Sequence, residues 1–492
     1  MKYIATFDVG TTAVKGVLIS EQGHVAFTKS MDVETIFREN FKEQNPSEWY
    51  RAFCEISKVY FENGYRPEDI IGIVMSGQMQ DLISIDKEGN AVGNAILYTD
   101  ARAQKQADEI AAIIGIQEIV KSTGNNFDGS MPFPKLLWLK QNRLNDYVNT
   151  HKILISSKDY IISKLTGKYV TDVVAGSTTG LMDIREKRWN TGWVTAVGMD
   201  PDKLPLLLYA EDKAGIVTEK AAEESGYAAG TPVYAGTGDA GATTLASGIA
   251  SDGEFNINLG TSGWIASMSS GVFSREGVFN LAAMPRDLYI NVVPFFNAGN
   301  VHKWISKTLA KDTEQNEKYD YVDELLEQST PGSHGVMFLP YLTGERFPVV
   351  DTKIKGGFVG ITPETTKQDL ARSCLEGVSF SIRQGLESFN QEIHKISLIG
   401  GGAQDKVWCQ IFADALDHEI IVYQSSGFLP SMAIASAVLV AQGRIRDYAE
   451  FAQSLKQLQD CVCYRPDPAA VERLNQMYER YRRIYPALKS IG

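Results

Sequence analysis

Short apolar runs, each closed by a small polar turn, recur along this chain and mark out its elements. Tyr3-Ile4-Ala5-Thr6-Phe7 reads as a buried strand and Val17-Leu18-Ile19 as the start of a second, so Asp8-Val9-Gly10-Thr11-Thr12-Ala13-Val14-Lys15 joins two hydrogen-bonded neighbours. Pro46-Ser47-Glu48-Trp49 opens a helix, and Ile70 to Met75 is a buried strand running into Ser76-Gly77-Gln78-Met79-Gln80-Asp81. An Ala/Gln/Glu-rich helix ends near Gly115, and Lys135 to Leu139 continues another whose apolar face is core. From Ile153 to Gly180 short apolar runs alternate with Ser, Thr and Gly, ending in a ligand-facing loop or a turn at Ala175 to Gly180. Pro232 to Ala235 is a short strand leading into Gly236-Thr237-Gly238-Asp239-Ala240-Gly241 and a small-residue helix. Phe255 to Leu259, Gly260-Thr261-Ser262-Gly263 and Trp264 to Ala266 then repeat the N-terminal plan of strand, turn and strand.

Beyond this repeat, Leu370, Cys374, Val378, Ile382, Leu386 and Phe389 form the apolar stripe of a helix. A strand follows at Ile396 to Ile399, and Gly400-Gly401-Gly402-Ala403 opens a helix at Val407-Trp408. Ile420 to Val422 and the Ala-rich stretch from Ser431 to Gln442 make a further strand and helix, and Pro466 to Leu488 reads as one amphipathic packing helix. This alternation is that of an α/β protein.

Composition narrows the partners. With 492 residues the chain exceeds one typical core and predicts two domains, placed at 1–246 and 247–492. A net charge of -12 argues against a broad nucleic-acid or anionic-membrane surface, which leaves small molecules as the expected partners and a homodimer open. No charged-then-apolar segment precedes Tyr3 and no run approaches a membrane span, so the expected compartment is the cytoplasm. The five cysteines form no paired framework, and neither Cys461-Val462-Cys463 nor the spacing of the six histidines matches a structural zinc motif.

The candidate chemistry lies in the turns. At the opening turn the Gly10 backbone, Thr11, Thr12 and Lys15 can hold phosphate oxygens while Asp8 holds a divalent metal; the plain alternative is an ordinary hairpin. Gln78, Gln80 and Asp81 sit at the carboxyl end of a buried strand, where polar groups commonly face a cleft and can bind hydroxyls, or merely make a polar turn. Asp100 and Arg102 form a second polar cluster, readable also as a helix cap and a surface charge. Gly236 to Gly241 formally matches Gly-x-Gly-x-x-Gly, which supports a dinucleotide-dependent oxidoreductase as a rival. Two details oppose it: Asp239 stands where pyrophosphate would approach, and the acid expected at the end of the next strand is missing, Glu254 being at its start. Asp239 is better read as a base or a metal-facing group. The second hairpin has Asn258 where the first has Asp8, so only one half would hold metal, and Gly400 to Ala403 let a flat ring or a phosphate approach the backbone.

In sequence order, Asp8-x-Gly-Thr-Thr-x-x-Lys15, Ser130-Met-Pro132 through Asn142, Gly260-Thr-Ser-Gly263, Pro340-Tyr-Leu-x-Gly-Glu345-Arg346, Gly356 through Gly360-Ile361 to Glu376, and Gly400-Gly-Gly-Ala403 resemble the FGGY carbohydrate kinases over nearly the whole chain. The resemblance implies two ribonuclease-H-like, actin-like ATPase domains with a cleft between them, the sugar on the N-terminal side and the nucleotide on the C-terminal side. It implies γ-phosphoryl transfer from ATP, with Mg2+, to a sugar hydroxyl. Asp239 would be the base, Asp8 and Asp239 would face the metal, Thr11, Thr12, Lys15, Gly260, Thr261 and Ser262 would clasp phosphates, and Gly401, Gly402, Ala403 and Gln404 would border the adenosine. Gln78, Met79, Gln80, Asp81, Asp100 and Arg102 would contact the sugar. Gln80 and Asp81 depart from the pattern of xylulose kinases, where His normally follows Gln78-Met79. A xylulose-type ketopentose ranks first, gluconate or another sugar acid that Arg102 would suit second, and glycerol lower.

Overall fold

Two sheets of the same design organise the chain. The computed structural model describes residues 1–38, 41–275, 277–310, 317–423, 426–458 and 460–489. In the first sheet Tyr3–Val9 is central, with Ala13–Ser20 antiparallel beside it and Val25–Asp32 beyond; on its other side lie Ile70–Gly77 and then Pro232–Tyr234, both parallel to it. The second sheet repeats this around Glu254–Leu259: Gly263–Ser269 and Tyr289–Phe295 antiparallel on one side, Lys395–Ile399 and Ile420–Tyr423 parallel on the other. This repeated order is the ribonuclease-H-like, actin-type arrangement. It gathers the carboxyl ends of the parallel strands, and the turns that leave them, at one edge of each sheet.

The period-two pattern of Tyr3–Val9 explains how its sheet is sandwiched. Ala5, Phe7 and Val9 face Trp49, Phe53, Ile56 and Tyr60 of helix Pro46–Glu62, while Ile4 packs on the opposite face with Val17, Val74 and Met432. Thr6 is buried between them, its hydroxyl donating to the Val17 carbonyl at 2.9 Å. Met432 belongs to helix Leu429–Ala441, which is apolar on all sides and so must be enclosed; Met432, Ala433, Ile434 and Val438 bury it against strands of the first sheet. A C-terminal helix thus closes the N-terminal sheet and fixes the two halves to each other.

Two local expectations change and one gains detail. Within Ile153 to Gly180, Ser156 and Asp159 form a capping box for helix Ser157–Thr166, Asp172 caps the short helix Val173–Gly176, and Ser177 to Gly180 is a turn as one of the two readings had it. Gly401–Gln404 forms a tight 3-10 turn, and the helix after it, Lys406–Leu416, starts from Asp405, whose Oδ1 accepts from the Trp408 amide at 3.0 Å. The C-terminal stretch is two helices, Pro468–Tyr481 and Ile484–Lys489, separated at Arg482-Arg483. No helix among the described residues is long and apolar enough to cross a membrane.

Gly236 allows the chain to turn from the strand toward Asp239. Its φ is +64°, and a β-carbon there would lie 1.9 Å from the Met75 carbonyl oxygen. Gly236→Ala is therefore expected to cost at least about 2 kcal/mol in chemical denaturation, whereas Gly192→Ala, in open space, changes stability by less than about 0.5 kcal/mol.

Candidate active site

Asp8 ends the central strand of the first sheet directly beside Ser76, whose hydroxyl donates to Asp8 Oδ1 at 2.8 Å. Thr237–Gly238 pairs in parallel with Ser76–Gly77, which delivers Asp239 to the same edge as the first residue of helix Asp239–Ala246. Lys15 is the cross-strand partner of Asp8 and is exposed, as is Thr12. The Asp239 side chain is reached by solvent in the cleft, yet it lies deep in the protein. This depth first, and the charge of Asp8 second, push its carboxyl up to about 7 from the ordinary 3.8.

Beneath this pair is a buried counter-charge that the sequence did not reveal. Lys158, fully buried, has its ammonium 2.6 Å from Asp159 Oδ1 and 2.9 Å from Asp172 Oδ2. Burial alone would drive its pKa down, but Asp159 and Asp172 outweigh it and hold the lysine above its ordinary value. Asp172 Oδ1 in turn accepts from the Gly238 amide at 3.3 Å, so the buried network grips the backbone immediately before Asp239.

Between the halves a cavity of about 350 Å³ opens at Asp239. Met79, Gln80 and Thr178 line it from the first half, and Asn256, Trp264, Phe279 and Pro294 from the second. Gln80 has φ +65°, unusual for a non-glycine residue, and its amide donates to the Ser130 hydroxyl at 2.8 Å. Asp81 is fully buried just behind; Oδ1 accepts from the Tyr98 amide at 3.0 Å and Oδ2 has no hydrogen-bond partner. Burial raises its carboxyl, while Lys135, also buried and donating to the carbonyls of Gln80 and Leu97, opposes that rise.

Three of the residues expected at the sugar, Arg102, Asp100 and Gln78, are held by protein partners. Arg102 has a side chain only 1% exposed and meets Asp100 through Nε and Nη2 at 2.9 and 2.6 Å and Glu43 through Nη1 at 2.8 Å, with Phe41 against its face. Asp100 is fully buried, and both its oxygens are occupied by Arg102 and the Lys42 amide. Burial pushes the Asp100 carboxyl up, but Arg102 and the Lys42 amide together outweigh this and hold it below its ordinary value. The pair is a closed structural clasp. Gln78 is buried as well, donating to Gln44 at 2.9 Å and accepting from the Thr11 hydroxyl at 2.7 Å. The Thr11 hydroxyl expected for phosphate is thereby committed to Gln78. Gln44 also donates to the Thr11 carbonyl at 2.7 Å, so one buried glutamine ties the first turn to the strand behind the cavity.

A second cavity, of about 610 Å³, lies at the edge of the C-terminal sheet. The expected Gly260, Thr261, Gly401, Gly402 and Gln404 line it; Ala403 instead packs inward with the core, and Ser262 is exposed on its turn. The turn is stapled to helix Gly299–Leu309 by hydrogen bonds from the Gly299 amide to the Gly260 carbonyl at 2.8 Å and from the Asn300 amide to the Thr261 carbonyl at 3.0 Å. Sequence reading missed His302, Tyr319, Asp323 and Asp405 in the same wall, because they converge from three distant stretches without a motif. Gly236 to Gly241 builds no dinucleotide site, since Asp239 occupies the first turn of a helix only eight residues long.

Duplicated actin-type sheets, a carboxylate pair at one strand edge and two cavities flanking it define a two-domain phosphoryl-transfer enzyme. The N-terminal domain model of the FGGY family of carbohydrate kinases matches residues 3–246 and the C-terminal domain model residues 255–429. The chain belongs to the FGGY family of carbohydrate kinases and is an ATP-dependent carbohydrate kinase. It is 31% identical to a xylulose kinase of Staphylococcus xylosus over 85% of this chain and 87% of that protein. A gluconokinase of Bacillus subtilis is 27% identical over 86% of this chain and 84% of that protein. The crystal structure of a ligand-bound xylulose kinase from Lactobacillus acidophilus superposes with a TM-score of 0.82 at 26% identity, covering 99% of each chain.

Removing one partner of a buried ion pair leaves the other charge uncompensated. Arg102→Gln should lower stability by about 3–5 kcal/mol in denaturant melts; weakened sugar binding at unchanged stability would return Arg102 to the substrate. Asp239 carries the opposite sign. Its raised pKa means that ionising it destabilises the fold, fully so above about 7 and not at all below 3.8. Asp239→Asn should raise the thermal midpoint at pH 8, and this gain should fade as the pH falls from 7 toward 4.

Proposed function

We propose that the chain phosphorylates a ketopentose, xylulose first, with residues 1–246 supplying the sugar side and 247–492 the nucleotide side. The observation that carries the reading is Asp239 at the mouth of a cavity shared by both halves, beside the phosphate-type turn that starts after Asp8. Asp239 accepts the proton of the attacking hydroxyl as its oxygen bonds to the γ-phosphorus and the bond to the bridging oxygen breaks, releasing ADP. A raised pKa suits that task, since the base is then poised near neutrality. Met79 and Gln80 contact the sugar; Asp81 acts from behind them through the Gln80 backbone and Lys135.

Asp8 and Asp239 repel each other across the strand edge, and this all-oxygen pair suits Mg2+. When bound there, Mg2+ neutralises charge on the transferring phosphates. Lys15, Thr12 and the backbone of the Gly260 to Ser262 turn meet the phosphates from the two sides, and Gly401, Gly402 and Gln404 border the adenosine. Helix Leu429–Ala441 joins the halves, so closing the cleft over the sugar excludes the water that competes as acceptor. Dependence on ATP supports a cytoplasmic location.

Among the described residues lining the sugar cavity none is cationic, and Arg102 is committed elsewhere. This favours a neutral sugar over gluconate, despite the gluconokinase relative. An ATP-coupled assay with ketopentoses, sugar acids and polyols should give the highest kcat/KM with xylulose; faster turnover of gluconate would reverse the ranking. Asp239→Asn should keep ATP binding in calorimetry and lose at least about 10²-fold in kcat. In the wild type, kcat/KM should fall as pH drops below about 7, the acid limb belonging to Asp239.

A further inference from the structure

Three buried polar atoms without a hydrogen-bond partner converge on the wall of the larger cavity: His302 Nε2, Asp323 Oδ1 and Asp405 Oδ2. His302 Nε2 lies 3.9 Å from each carboxylate oxygen, and all three atoms are within 4.8 Å of one another. They come from helix Gly299–Leu309, helix Glu317–Glu327 and the residue capping Lys406–Leu416. The side chains of His302 and Asp405 are each only 8% exposed. Unpartnered groups at that depth are costly and rare, and three aimed at one point call for something that binds them together.

The surroundings hold this set in place. Tyr319 and Trp408 present their rings nearly perpendicular to the imidazole, with centroids 5.2 and 5.6 Å away. Asp405 commits Oδ1 to the Trp408 amide, which leaves Oδ2 turned to the cluster.

We propose that His302, Asp323 and Asp405 bind a divalent transition-metal cation at a site separate from Asp8 and Asp239. One imidazole nitrogen and two carboxylate oxygens select zinc, manganese or cobalt over magnesium and calcium, which take oxygen donors. Metal–ligand distances of about 2.1 Å give tetrahedral edges of about 3.4 Å, so each 3.9 Å separation must close by about half an ångström. Asp323, whose side chain is 43% exposed, is the ligand free to move in. The remaining coordination position opens on the cavity. Local spacing along the chain hides the site, which explains why the histidines show no zinc motif.

Calorimetric titration of ZnCl2 into the chelator-treated, full-length protein tests this, with Co2+ absorption as the spectral readout. Wild type and Asp8→Asn should each bind one equivalent of zinc, and His302→Gln and Asp405→Asn should lose at least about tenfold in affinity. Co2+ should give a visible d–d spectrum without a thiolate charge-transfer band in the wild type, and His302→Gln should lose it. Circular dichroism checks folding, and Asp323→Asn, at a partly exposed position, carries the same comparison if His302→Gln does not fold. No zinc binding by the wild type, undiminished binding by folded His302→Gln or Asp323→Asn, or a thiolate band pointing to Cys461 and Cys463 would overturn the proposal.

Discussion

Gathering carboxylates at one strand edge is the constraint around which this molecule is built. Asp8, Asp81, Asp172 and Asp239 lie close enough that Asp239 feels Asp8 and Asp172, and Asp81 feels Asp239. Left alone, such a cluster would force its members to take up protons or splay apart. Two fully buried lysines oppose this from below, Lys158 on Asp159 and Asp172 and Lys135 near Asp81, without cancelling it. Asp8 and Asp239, on the cleft side, have no such lysine between them, and their repulsion is what a metal and a substrate hydroxyl can use. Under the proposed role for Asp239, stability and chemistry are opposed there, as is common where a site must hold charge out of water.

Around this cluster, polar contacts that look like ligand contacts in the sequence serve mainly to hold backbone. Gln44 connects the Thr11 turn to Gln78, and Arg102 closes on Asp100 and Glu43. Each satisfies buried polar groups that would otherwise be costly, and each keeps a strand end at a set distance from Asp239. The surface left to meet a sugar is small: Met79, Gln80, Thr178 and Asp239 on one wall, with Asn256 and the apolar side chains of the second half opposite. A left-handed Gln80 in that wall is the kind of backbone strain that tends to persist where a residue must face a ligand.

Much of the fold was legible because its signals are local. A short buried apolar run marked Tyr3–Val9, the repeated Gly-Thr turns marked the duplication, and the stripe from Leu370 to Leu386 marked the long helix Lys367–Glu387. Short polar-rich helices such as Ser157–Thr166 escaped notice, because nearly all their residues are buried and no apolar face stands out. Gln78, Asp100 and Arg102 were read as substrate contacts because polarity at a strand end looks the same whether it meets a ligand or a buried partner.

By itself the sequence determined the two-sheet plan and the turns at Gly10 and Gly260, and it singled out Asp239 as a candidate base or metal-facing group, since each follows from neighbours along the chain. Tertiary structure alone decided which polar groups are free and which are committed, because that depends on partners tens or hundreds of residues away. It set Lys158 beneath Asp239, closed Arg102 into its clasp, laid helix Leu429–Ala441 across the first sheet, and brought His302, Asp323 and Asp405 together. Electrostatics and hydrogen bonding act over a few ångströms of space, and sequence spacing reports that distance only within a helix turn or a strand pair.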